Sequence, residues 1–188
     1  ELKVFVQSII NQSDKNWTLH VIHDGQNDDF CSIMESYQHV SKKITYECSN
    51  VHYGDYGHSL REIGLKKTSQ DYILLTNADN YYSPKTIEFI NDAISSNISR
   101  KPDVVMFDMI HSHSGAAEKK KPSYSYLEII YKRNHIDIGS AIVETKLAQK
   151  VGFTDKSFTA DATYFENVLK KKNEDASKLI VVKIPRVL

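Results

Sequence analysis

The chain of 188 residues is poor in the residues that staple or rigidify small proteins, with 2 cysteines, 4 prolines and 1 tryptophan. Two cysteines, Cys31 and Cys48, cannot make a disulfide scaffold, and no Cys-x-x-Cys spacing points to zinc. They read as free thiols in a reducing compartment. No apolar run approaches the ~20 residues needed to cross a bilayer, and no signal peptide opens the chain. Charge of one sign is not in excess either, since 24 basic residues balance 24 acidic ones. A polyanion-binding domain usually carries a basic surplus, so nucleic acid is not the expected partner. Repeats and Gly/Ser linkers are absent, and three Asn-x-Ser/Thr sequons, at Asn11, Asn16 and Asn97, fit chance in an asparagine-rich chain.

Several catalytic signatures are also missing. There is no Gly-x-Gly-x-x-Gly, no Gly-x-x-x-x-Gly-Lys, no Gly-x-Ser-x-Gly and no His-Glu-x-x-His. Dinucleotide oxidoreductases, P-loop enzymes, serine hydrolases and zinc peptidases of that type are thereby disfavoured. What remains is a soluble, cytoplasmic, single-domain pattern spanning 1–188, long enough to bury roughly 70% of its unfolded surface.

Apolar residues at helical spacing, Leu2, Phe5, Val6, Ile9 and Ile10, predict a helix at the start. A helix with no strand before it and a final strand ending at Leu188 lead us to expect a domain lacking its first strand and a C-terminal tail. Strands are predicted over 17–23, 43–48, 71–77, 103–109, 138–143 and 178–184, with 71–77 buried on both faces. Between them the pattern predicts helices over 29–40, from Leu60 to near Thr68, after Ser83-Pro84, over 145–151 and over 159–172. Ser83 is expected to cap its helix ahead of a proline at the first helical position. The segment 111–134 breaks the rhythm, and Lys119-Lys120-Lys121-Pro122 reads as an exposed loop. Alternation of this kind predicts an α/β domain with a largely parallel sheet, whose ligands sit at the carboxyl ends of strands.

Acidic and amide residues stand at those ends. Asp24-Gly25 closes the first strand, Asn77-Ala78-Asp79-Asn80 the third, and Asp161 opens the last helix. Each has a plain structural reading as well. Asp24 suits a turn, Asp79 and Asn80 an Asx-turn, Arg61 a surface ion pair, and Asp161 a helix N-terminus favoured by the macrodipole. His111-Ser-His113 lacks a nearby third ligand and reads as a solvated loop. Tyr81, Tyr82, Tyr124 and Tyr126 can stack on sugars, though most tyrosines are half-buried packing residues.

Taken in order, these stretches resemble glycosyltransferase family 2, the GT-A nucleotide-sugar transferases. Ser8 to Gln12 with Leu19 to Gly25 resembles its first helix and Asp-Gly strand end. Gly57 through Arg61 and Gly64 resembles its Gly…Ala-Arg-Asn-x-Gly stretch, with Glu62 where asparagine is usual. Tyr72 to Asn80 resembles the strand bearing the Asp-x-Asp metal motif, with Asn77 in place of the first aspartate. Ile138-Gly139-Ser140, the helix to Val151 and Gly152-Phe153 resemble its acceptor-side elements.

The resemblance implies a GT-A fold with a mixed, mainly parallel sheet. It implies an inverting transfer from a nucleotide-diphosphate sugar to a glycan or lipid-linked acceptor. Asp161 is then the general base, Asp79 the ligand of Mg2+ or Mn2+, and Asp24, Arg61, Asn77 and Asp79 the donor-binding residues. The Gln-x-x-Arg-Trp motif of processive synthases is missing, since the only tryptophan is Trp17. A lipid carrier would make the Lys119–Lys121 and Lys170–Lys172 runs useful at the inner face of a membrane. The alternatives left open are an inactive GT-A-like binding domain and a sugar-phosphate nucleotidyltransferase.

Overall fold

The computed structural model describes residues 1–96, 100–112 and 124–188. In chain order the elements are α1 (Leu2–Ile10), β1 (Leu19–His23), α2 (Asp28–Val40), β2 (Ile44–Cys48), α3 (His58–Lys67), β3 (Tyr72–Leu74) and α4 (Thr86–Ser95). They continue as β4 (Val104–Ser112), β5 (Tyr124–Leu127), β6 (Ala141–Glu144), α5 (Thr145–Val151), α6 (Ala160–Glu174) and β7 (Val181–Val187). The Asn97 sequon, His113 and Lys119 to Pro122 lie outside the described residues.

β4 is the axis of the larger sheet. Val-Val-Met-Phe at 104–107 alternates between two buried faces, which a period of two residues requires. Val105 and Phe107 pack with Ile142 and Ile184 against Phe5, Val6 and Ile9 of α1 and Ile90 of α4. Val104 and Met106 pack with Ala141 and Val143 against Leu65 of α3, Leu147 of α5 and Tyr164, Phe165 and Val168 of α6. Helices therefore cover both faces of the sheet, as in a doubly wound domain.

Strand direction departs from the expected parallel majority. β1 pairs with β2, and β4 with β7, in parallel. β6 runs antiparallel to both β3 and β4, and β5 antiparallel to β4. The reversal at β6 follows from its connection, a turn at 138–140 that feeds it back between β3 and β4. The turn is a 3-10 helix capped by Asp137, so residues 138–140 are not strand.

β3 is shorter than the apolar run 71–77, because β6 offers partners only from Ile142 onward. It is a half-buried edge strand rather than a doubly covered one. Between it and β1 lies a cleft of about 1220 Å3, lined by Phe5, Ile9, Val21, Ile73, Leu75 and Ile142 and reaching Arg61 and Asn77 at one end.

Ser83 does not cap α4. Its hydroxyl bonds the Thr86 hydroxyl at 3.2 Å, and the cap comes from Gln12, fully buried after α1. Gln12 accepts from the Ile87 N–H at 3.0 Å and donates to the Ser83 carbonyl at 2.7 Å. One amide thus joins two helices and fixes the chain that follows β3. No helix among the described residues is long and apolar enough to cross a membrane.

Candidate active site

Four segments meet at one end of the larger sheet: the first turn of α3, the 76–80 loop, the 137–140 turn and the start of α6. Arg61 lies at their centre, only 8% exposed, so the surface ion-pair reading fails. Its Nη1 donates to the Tyr56 carbonyl at 3.0 Å and to His58 Nδ1 at 2.7 Å, and Nη2 donates to the Asn77 side-chain oxygen. The guanidinium also faces the Phe153 ring at 5.5 Å. Burial pulls its pKa down, while Asp161, Asp137, Asp55 and Asp79 act in the opposite sense. Its Nε, though buried, has no hydrogen-bond partner among the described residues.

Asp161 sits in the first turn of α6, as expected for a carboxylate at a helix N-terminus. Its Oδ1 is buried and has no hydrogen-bond partner among the described residues. Burial raises its pKa, Arg61 and His58 oppose the rise, Asp137 adds to it, and a hydrogen bond from the Ile138 N–H lowers it; the balance is upward. Glu166, later on the same helix, is on the surface bonded to Arg133 at 2.6 Å and takes no part.

Asp79 and Asn77 are both exposed on the loop after β3. Asp79 takes no hydrogen bond among the described residues, whereas Asn77 is engaged by Arg61. No group of three His, Cys, Asp or Glu residues forms a ready metal cage among the described residues. The donor set still suits a hard divalent ion held by one carboxylate and completed by phosphate oxygens. Asp79, Asp137 and Asp161 all bear on a single guanidinium, which makes the setting acidic.

Asp24 holds a loop instead of standing free. It accepts from the Tyr53 and Gly54 N–H groups at 2.8 and 2.9 Å and lies 3.1 Å from His52 Nδ1. Burial opposes its ionisation, but these donors outweigh it and hold the pKa low. Its link to the site runs through the 52–57 loop, which leads into α3.

Two residues not singled out in the sequence complete the arrangement. His58 is buried, stacked on Phe153 at 5.1 Å, and its Nε2 pairs with the Ser157 carbonyl at 3.0 Å. With Nδ1 accepting from Arg61, the ring is the neutral Nε2–H tautomer; burial and then Arg61 lower its pKa. Asp137 caps the 138–140 turn by accepting from the Gly139 N–H at 2.8 Å and lies 3.6 Å from His111 Nε2. The Asp-x-Gly spacing at 137–139 is its only sequence signal.

Of the four tyrosines considered for sugar stacking, Tyr82 is buried and donates to the Gly139 carbonyl at 2.9 Å. Tyr81, Tyr124 and Tyr126 are exposed. In the second lysine run Lys172 pairs with Asp103 at 2.9 Å and Lys171 with Glu174 at 3.4 Å, which blunts its positive field.

No curated protein matches the chain. Among solved structures, S. aureus TarS 1–349 superposes with a TM-score of 0.66 at 15% identity, covering 89% of this chain and 50% of that one. The same TarS fragment in complex with UDP gives 0.67 at 15%, covering 89% and 51%. TarS itself gives 0.66 at 15%, covering 89% and 30%. The chain thus spans about half the length of the TarS fragment, and the shared fold is the GT-A fold. The sequence pattern described as glycosyl transferase family 2 matches residues 1–143, and the chain belongs to that family.

Proposed function

We propose that the chain binds a nucleotide-diphosphate sugar and transfers the sugar, with inversion, to a hydroxyl of a glycan or lipid-linked acceptor. The observation that carries this reading is the buried Asp161 Oδ1, without a hydrogen-bond partner among the described residues, in the field of the Arg61 guanidinium. A general base must accept a proton from the acceptor hydroxyl at hydrogen-bond distance, and a carboxyl raised by burial is more basic than one in water. The hydroxyl oxygen bonds the anomeric carbon as the bond to the diphosphate breaks, its proton passes to Asp161, and the diphosphate departs from the opposite face.

Asp79 would hold Mg2+ or Mn2+, which supplies charge neutralisation at the diphosphate when bound. Arg61 fixes Asn77 and thereby the loop that carries Asp79. Asp24 orders the 52–54 backbone at the nucleotide end. The TarS fragment complexed with UDP makes uridine diphosphate the first nucleotide to test.

Thermal shift with UDP, GDP and their sugars, with and without Mn2+, tests the reading. Metal-dependent stabilisation by a diphosphate sugar, with turnover lost in Asp161→Asn, is expected. Stabilisation by a triphosphate alone would indicate a nucleotidyltransferase, and binding with no turnover under any acceptor a non-catalytic module.

A further inference from the structure

Three residues before Asp161, and just ahead of α3, two aromatic rings stand in solvent against each other. Phe158 is 80% exposed and Tyr56 65% exposed, with centroids 5.7 Å apart and planes at 74°. Single exposed apolar side chains are ordinary. This pair differs because its backbone is held in place from beneath.

Tyr56 has φ of 59°, a left-handed conformation that a bulky residue adopts only where its surroundings impose it. The Tyr56 carbonyl is held by Arg61, whose Nη1 bonds it at 3.0 Å. Phe158 follows Ser157, whose carbonyl pairs with His58 Nε2 at 3.0 Å. Arg61 and His58 bond each other at 2.7 Å. One buried pair therefore holds the backbone at Tyr56 and just before Phe158, and the same guanidinium contacts Asn77 and acts on Asp161.

The rim of the pair is polar. Asp55 precedes Tyr56 and is bonded to Ser59. Asp155, Ser157 and Thr159 lie close to Phe158 in the chain; Asp155 accepts from the Ser157 N–H, and the Ser157 and Thr159 hydroxyls are 3.3 Å apart. An aromatic plate edged by hydroxyls and carboxylates suits a pyranose, which presents C–H groups on its face and hydroxyls around its edge. It suits an acyl chain or an apolar peptide poorly, because the apolar surface stops at two rings. The two carboxylates disfavour an anionic ring.

We propose that Tyr56 and Phe158 form the acceptor-sugar subsite, stacking an uncharged pyranose so that one of its hydroxyls reaches Asp161. The proposal rests on the transferase reading above, in which the acceptor hydroxyl must lie beside that carboxylate.

Saturation-transfer NMR tests it, with methyl glycosides of glucose, galactose and N-acetylglucosamine as probes in the presence of UDP and Mn2+. The variants are Phe158→Ala and Tyr56→Gly. The second removes a ring while relieving the left-handed strain, so its Tm should equal or exceed that of the parent chain. For at least one glycoside, transfer should fall about fivefold in both variants, with UDP affinity held within about twofold. Absence of saturation transfer from the unaltered protein to any of the glycosides, or equal saturation transfer in parent and variants, overturns the subsite while UDP binding leaves the transferase reading in place. Failure of the unaltered protein to bind UDP overturns that reading, and the subsite with it.

Discussion

Arg61 donates to the side-chain oxygen of Asn77, so the residue standing where the family more often has aspartate faces a guanidinium. Its carbonyl is thereby committed to a protein donor. In Asn77→Asp the new carboxylate should pair with Arg61, giving a stronger charge-assisted bond, and leave manganese affinity in the presence of UDP within about threefold of the parent. Calorimetry checks this, and a tightening of tenfold or more would place the side chain on the metal. Asn77→Ala leaves Nη2 without its acceptor and should cost about 1–3 kcal/mol of stability.

Asp161 makes the stability of the fold depend on pH. Its folded-state pKa is raised above the ordinary 3.8, so the folded chain holds this proton more tightly than the unfolded one. The stability it contributes is present below 3.8 and is lost as pH rises through the folded value. Asp161→Asn removes the ionisation. The variant's Tm should therefore gain on the parent as pH rises from 4 toward 7, while turnover falls about 10²–10⁴-fold and UDP affinity holds. Calorimetric melts across that range check the first part, and a constant Tm difference would contradict it.

Parts of this site were legible in the sequence because they follow apolar runs. The apolar run from Tyr72 to Leu75 gives way to Thr76-Asn77, and Asp161 opens an amphipathic helix, so both are marked in the sequence itself. His58 and Gln12 are not, since their roles come from partners remote in sequence, and Asp137 carries only the short Asp-x-Gly signal of a local turn cap. His58 pairs with Ser157, and Gln12 with Ile87, across gaps that no local pattern spans. The direction of β6 was hidden for a similar reason. Alternating strands and helices give the layers of a fold, but a three-residue turn at 138–140 decides which way the next strand runs. Glu62 stands where asparagine is usual in the family, and its role is visible only in its contacts.

Glu62 accepts from the Phe153 N–H at 2.5 Å and pairs with Lys66 at 3.1 Å. It ties α3 to the turn at Gly152, whose φ of 69° permits the chain to reverse there. Phe153 in turn underlies both His58 and Arg61. Glu62→Ala should cost about 1–3 kcal/mol, read as a Tm lower by about 2–4 °C per kcal/mol, together with reduced turnover. Glu62→Gln keeps the acceptor and should recover most of both. Equal losses in the two variants would show that charge, rather than the hydrogen bond, matters.

Gly139 offers the sharpest steric test. A Cβ there would lie 2.6 Å from Asn80 Nδ2, 3.2 Å from the Tyr82 hydroxyl and 3.3 Å from Asp137 Oδ1. Asn80 bonds Thr76 Oγ1 at 2.9 Å, and that hydroxyl meets Tyr82 at 2.6 Å, so the displaced amide has to break a bond that shapes the loop around Asp79. Gly139→Ala should cost about 1–3 kcal/mol and weaken metal-dependent UDP binding. Asn80→Ala in the same chain clears the closest clash and should return part of the lost Tm, because the two changes meet at one point and cannot be additive. Double-mutant melts decide the matter: a strictly additive pair would mean that the 137–140 turn and the Asp79 loop are not coupled through this contact.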